Sequence, residues 1–170
     1  MLVALTFLLA CVPQYQNMSS GSLQNRLADR GIAANARVQM LEELAGRNGD
    51  LNYGLLTEAK AVARGEWIAD SVRCLGRCGP DAISDLNKYV RNKSPMIRAE
   101  AVYGMTIADE ESGDRFAMKI LRDQKQPTVA RVAALRGLAD RGSVLAHVEA
   151  VRRLSTANGA LLLEAIDVIG

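Results

Sequence analysis

Apolar residues along most of this chain recur at helical spacing, and the helical stretches themselves recur at a fixed interval. Ala36, Met40, Leu41 and Leu44 fall four, one and three apart, one stripe of a helix running from about Ala33 to Ala45. Leu55, Leu56, Ala59 and Val62 mark a second helix over 51–63. The same patterning predicts helices over 67–77, 81–91, 95–108, 114–122, 127–139 and 143–154, and from Gly159 onwards. A short helix begun by Leu23 and Leu27 and ended by Gly31 precedes them.

The recurrence is sharpest around Ser94-Pro95-Met96-Ile97-Arg98-Ala99-Glu100-Ala101-Val102. Pro95 and Pro127 stand 32 residues apart, as do Ile97 and Val129, and one more step lands on Leu161. Ala69, Ala101, Ala133 and Ala165 form a column at the same interval. The first helices of successive hairpins thus start near 33, 65, 97, 129 and 161. Two helices of about a dozen residues with two short turns fill one such period, which predicts a helical repeat array. Small residues in the Ala column let neighbouring backbones approach closely.

Turn chemistry keeps the same beat. Gly49-Asp50, Gly79-Pro80-Asp81, Gly113-Asp114 and Gly142-Ser143 fall between the two helices of a hairpin. Gly ends one helix in the left-handed conformation, and Asp or Ser caps the next. At the other junction Ser94 is expected as cap, with Pro95 in the first turn, where its missing N–H costs nothing.

Composition narrows the class. At 170 residues the chain is long enough for one sizeable domain. Apolar residues make up 49% of it but aromatics only 4%, so Ala and Leu carry the load. That favours packed helices over a β-sandwich. A formal net charge of +2 with 24% charged residues makes no electrostatic case for nucleic acid or an acidic membrane surface.

The N-terminus reads differently. Met1 to Val12 is apolar apart from Thr6, too short to cross a bilayer but the length of a secretory signal core. Leu8-Leu9-Ala10-Cys11 resembles the lipobox of bacterial lipoproteins, although Leu9 is bulky and no Lys or Arg precedes the apolar run. The resemblance implies a signal over 1–11, lipidation of Cys11 and a lipid-anchored, exported protein of the bacterial periplasm or outer membrane. An ordinary cleaved signal or a buried N-terminal helix is the alternative. Residues 12–22, with Pro13-Gln14-Tyr15-Gln16-Asn17 at their head, are expected to form a flexible polar tether to a repeat domain over 23–170.

The repeats resemble HEAT repeats, in particular the short variety of the phycobilisome lyases. Pro95, Ile97, Arg98, Ala101 and Val102 carry the likeness, as do Pro127, Val129, Ala133 and Ala134. Leu75-Gly76, Gly79, Asp81, Ile83 and Leu86 match the middle of the motif. The resemblance covers about 33–170 and implies an all-α, right-handed α-solenoid with second helices on its concave face. It further implies a non-enzymatic scaffold or adaptor that holds a protein partner there. Bilin lyase activity is the enzyme alternative that the family's name-giving members suggest. A HEAT-like nucleic-acid-binding protein is a third reading, set back by near-neutral charge and few aromatics.

Candidate chemistry is sparse. His147 is the one histidine and sits on a predicted second helix, so neither a paired His–Glu iron site nor a Ser or Cys nucleophile with a His base can be assembled. No metal or cofactor is expected. Cys74 and Cys78 are four apart and would reach each other only if the turn around Gly76 and Gly79 unwinds. Unbridged, they are two small apolar residues. The most suggestive pattern is basic: Lys60, Arg91, Arg122 and Arg153 recur every 31 residues near the ends of second helices, with Lys88 and Lys119 one turn earlier. Such a ladder would suit an acidic partner, carboxylates or phosphates, unless each cation is paired or simply solvated. Finally, Leu161, Leu162, Leu163, Ala165, Ile166 and Ile169 form an apolar last helix. It is read as the mark of a fragment truncated at its C-terminus, or as a dimer or partner surface.

Overall fold

The computed structural model describes residues 15–47, 53–62, 68–156 and 159–169. The signal and lipobox readings on 1–11, Cys11 included, and the Gly49-Asp50 turn lie outside them. Every regular element among the described residues is helical. Among the described residues ten α-helices follow one another: α1 (Ser20–Leu27), α2 (Ala34–Gly46), α3 (Tyr53–Val62), α4 (Ile68–Gly76) and α5 (Ile83–Tyr89). After them come α6 (Pro95–Ala108), α7 (Glu110–Arg122), α8 (Thr128–Asp140), α9 (Val144–Leu154) and α10 (Gly159–Ile169). The periodic apolar stripes therefore locate the helices closely.

The helices pack as two rows. Each of α2, α4, α6, α8 and α10 packs on the next in that series, most extensively at α4–α6 and α6–α8. Each of α3, α5, α7 and α9 packs against the first-row helices on either side of it in the chain and makes little or no contact with the others of its own row. The first row is close because small residues line it. A Cβ built on Gly76 of α4 would lie 2.3 Å from the Gly104 Cα of α6, so only glycine fits the crossing. At α6–α8 a Cβ on Gly137 would lie 2.8 Å from the Thr106 Cβ. Ala101 and Ala133 are buried on α6 and α8, and Ala165 is buried on α10, whereas Ala69 is half-buried. The core runs as two clusters that meet across α6, with Ala101 and Ala108 in one and Val102 and Tyr103 in the other.

Local chemistry departs from expectation at three junctions. Gly113-Asp114 is not a turn: α7 starts four residues earlier, because Asp109 caps it by accepting from the Ser112 N–H at 2.8 Å. Gly113 lies inside the first turn, where a Cβ would stand 2.2 Å from the Thr106 carbonyl oxygen. Ser94 heads α6 with no side-chain cap, and the Asn92 carboxamide instead accepts from its N–H at 2.9 Å. Pro127 is the residue before α8 rather than in its first turn. Gly142 behaves as expected. It takes φ +72° after α8, and the Ser143 N–H closes on the Leu138 carbonyl at 2.9 Å.

The tether expected over 12–22 is corrected from Tyr15 onwards. Tyr15–Asn17 form a single 3-10 turn, and Ser19 caps α1 by accepting from the Ser22 N–H at 3.2 Å. Arg47, held by Glu43 at 2.9 Å, donates to the carbonyls of Tyr15, Gln16 and Met18 at 3.2, 3.3 and 2.7 Å. Tyr15 and Met18 pack against the first core cluster. Polar composition misleads here because one arginine satisfies backbone groups that would otherwise need water.

Candidate anion-binding cleft

The ladder cations meet different surroundings. Lys60, on α3, forms an ion pair with Asp85 of α5 at 2.6 Å, and Lys88 reaches the other oxygen of the same carboxylate at 2.8 Å. Burial alone would raise the Asp85 pKa, but the hydrogen bonds from Lys60 and Lys88 outweigh it and hold the carboxyl below its ordinary value. Arg91 is exposed beyond the end of α5. Lys119 faces a shallow depression it shares with Asp114, Arg115 and Arg122.

Among the described residues, Arg122 and Arg153 are brought together without an acid between them. They line a cleft of about 230 Å³ formed where α7 and α9 end and α8 and α10 begin. The end of α7 and the link after it contribute Leu121, Arg122 and Gln124, and the first turns of α8 contribute Thr128 and Arg131. The end of α9 adds Arg152, Arg153 and Thr156, and α10 adds Leu161. Two of the four arginines, Arg131 and Arg152, lie off the 31-residue spacing, so counting along one row of helices overlooks them. The signal available in the sequence is the Arg152-Arg153 pair at a rung of the ladder.

Packing fixes the inner arginine. Its side chain only 12% exposed, Arg153 donates to the Leu121 carbonyl at 2.6 Å and meets the Glu149 carboxylate at 3.3 Å. Arg152 meets the other Glu149 oxygen, also at 3.3 Å. Glu149 is nearly fully buried under the pair. Arg131 donates to the Thr128 hydroxyl at 3.4 Å. The Nε atoms of Arg131 and Arg153 are buried and donate to no protein group. Burial pulls the Arg153 pKa below its ordinary value despite the opposing pull of Glu149. Four guanidiniums thus face one cleft in which one carboxylate touches two of them.

A second depression, on the first-row side, shows how these helices treat arginine elsewhere. There Arg73 is shared by Glu42, Asp70 and Glu100 at 2.5, 3.0 and 3.8 Å. Arg136 approaches Asp140 at 4.0 Å, and the Tyr103 hydroxyl donates to the same carboxylate at 2.7 Å. In that groove Arg73 and Arg136 each have an acid beside them, and Arg77 lines it as well.

Cys74 and Cys78 are free thiols, and the Cys78 Sγ points at the Cys74 carbonyl at 3.6 Å. The bridge considered for them needs an unwound turn. Instead the chain tightens, with 3-10 bonds from the N–H groups of Arg77, Cys78 and Gly79 to Cys74, Leu75 and Gly76. Burial pushes the Cys74 thiol up to about 12 and the Cys78 thiol up to about 11. His147 is exposed on α9. Among the described residues no group of three or more His, Cys, Asp or Glu is arranged to hold a metal, and no helix is long and apolar enough to cross a membrane. On α10, Leu161 and Ala165 face the core while Leu163 and Ile166 are exposed. No family model matches the chain, and no curated protein matches it.

Proposed function

We propose that this chain is a non-enzymatic binding module, a HEAT-like α-solenoid that holds an acidic protein partner along its second helices. The observation that carries the reading is the two-row packing. First helices pack on one another through glycine and alanine, while second helices pack inwards and leave their own row open. An open row of amphipathic helices offers a partner a long surface, and the exposed Arg91, Lys119 and Arg122 stand on or beside it. In the family that the repeats resemble, this row is the concave one.

The same proposal places the protein in the bacterial envelope, tethered through Cys11 by the Leu8-Leu9-Ala10-Cys11 signal. Site-specific photo-crosslinking in the producing cells tests the reading. A crosslinker at Arg91 or Lys119 is expected to capture one defined protein, and a crosslinker at exposed Met96 on the first row is not. Equal capture from both rows, or none from the second, contradicts it. Fatty-acid labelling that persists in Cys11→Ser contradicts the anchor.

A further inference from the structure

We infer that the cleft between the ends of α7 and α9 and the starts of α8 and α10 is a binding site for a phosphomonoester dianion. The inference does not depend on the scaffold reading, since a free phosphate ester suffices as ligand.

Charge is the first argument. Arg122, Arg131, Arg152 and Arg153 line one cleft, and the carboxylate in contact with them, Glu149, is shared by Arg152 and Arg153. The nearby Asp123 carboxylate is occupied elsewhere, accepting from the Lys125 N–H at 3.0 Å and the Gln126 amide at 2.9 Å. A carboxylate ligand would bring one negative charge, whereas a phosphomonoester brings about −1.5 to −2 near neutral pH. The larger charge suits the uncompensated guanidiniums.

Donor geometry is the second. Arg131 and Arg153 reach the cleft from different helices, α8 and α9, and their Nε–H groups are enclosed without a protein acceptor. The Thr128 and Thr156 hydroxyls and the Gln124 amide line the same space. Three terminal oxygens on one phosphorus can accept from several such directions at once, and planar guanidinium forks match them. Arg153 is held in place by Glu149 and the Leu121 carbonyl, so part of the ordering needed for binding is already made.

Size is the third. At about 230 Å³ the cleft is smaller than the pockets of drug-sized ligands and takes a head group rather than a helix or strand. Its lining is mainly arginine, threonine and glutamine, with the nearly buried Leu121 and Leu161 behind them.

Calorimetric titration of the full chain at constant ionic strength tests the site, with inorganic phosphate, O-phosphoserine and succinate as probes. The expected result is saturable one-to-one binding of inorganic phosphate or O-phosphoserine, at least tenfold tighter than succinate. Comparable affinity for the two phosphates indicates that the anion alone is recognised; tighter O-phosphoserine indicates that the ester is. The double variant Arg122→Gln, Arg152→Gln changes two exposed side chains and should weaken binding at least tenfold while the helical circular dichroism is unchanged. Arg153→Gln should weaken it further where that variant folds. Absence of saturable binding by either phosphate overturns the proposal. So does a preference over succinate of less than tenfold, or a folded double variant that retains more than a tenth of the affinity.

Discussion

The two ends of the basic ladder share a spacing in the sequence and differ in what surrounds them. At one end Lys60 and Lys88 share Asp85, and both lysines are substantially exposed, at 42% and 69%. At the other, Arg122 and Arg153 join two further arginines around a single nearly buried carboxylate. Periodic placement puts cations near the same end of each repeat, but the acids beside them decide whether charge is left over. The first end holds neighbouring helices together across α3 and α5. The second concentrates charge that the protein does not itself satisfy.

The largest expected effect sharpens that contrast directly. Glu149→Gln removes the carboxylate under Arg152 and Arg153 and should cost about 3 kcal/mol in urea unfolding, the range for breaking a buried pair. Added phosphate should recover more of the midpoint in this variant than in the parent chain. A cost below about 1 kcal/mol would mean that the cleft end is as lightly coupled as the lysine end.

A smaller loss is expected where the two ends share a support. Gly76→Ala drives a Cβ into the α6 backbone at Gly104, and overpacking of this kind costs about 2 kcal/mol. Ala101→Leu, at a fully buried site on α6, should cost a similar amount, about 1–3 kcal/mol. Neither should alter the cleft's selectivity for phosphate in protein that remains folded. A thermal midpoint unchanged in both would break the account of the close first row.

At the lysine end Asp85→Asn should cost less than about 1 kcal/mol, because exposed pairs are screened by solvent. Its signature is in pH. The folded Asp85 pKa lies below the ordinary 3.8, so its stabilisation is complete above that value and lost as the pH falls through the lower folded one. Asp85→Asn should flatten this part of the acid limb of the stability profile; an unchanged limb contradicts the pairing.

The smallest effect concerns the thiols beside that end. With the Cys74 pKa about 12 and the Cys78 pKa about 11, both remain protonated at neutral pH and alkylate slowly in the folded chain. Both pKa values are raised, so their stabilisation is intact below the ordinary 9.0 and lost progressively as the pH rises towards these folded values. Rapid iodoacetamide labelling of native Cys74 at pH 7 would contradict its burial.

Most helices were legible because period, apolar stripe and turn residues agree, as at Pro95, Ala133 and Gly142. Where reading failed, a side chain acted at a distance or out of step. Asp109 capped α7 four residues ahead of the more conspicuous Gly113-Asp114. Arg47 folded the segment from Tyr15 that composition suggested was loose. The cleft was half legible. Arg122 and Arg153 stand on the ladder, but Arg131 comes from the other row of helices, and only the packing of α7 to α10 shows that the four converge.

Arginine side-chain NMR during a phosphate titration measures the contrast between the two ends in one experiment. The account predicts that the Nε–H resonances of Arg131 and Arg153 move together and saturate, while the Lys60 and Lys88 ammonium signals stay where they are. Lysine shifts as large as the arginine shifts, or arginine resonances that do not move, would contradict it.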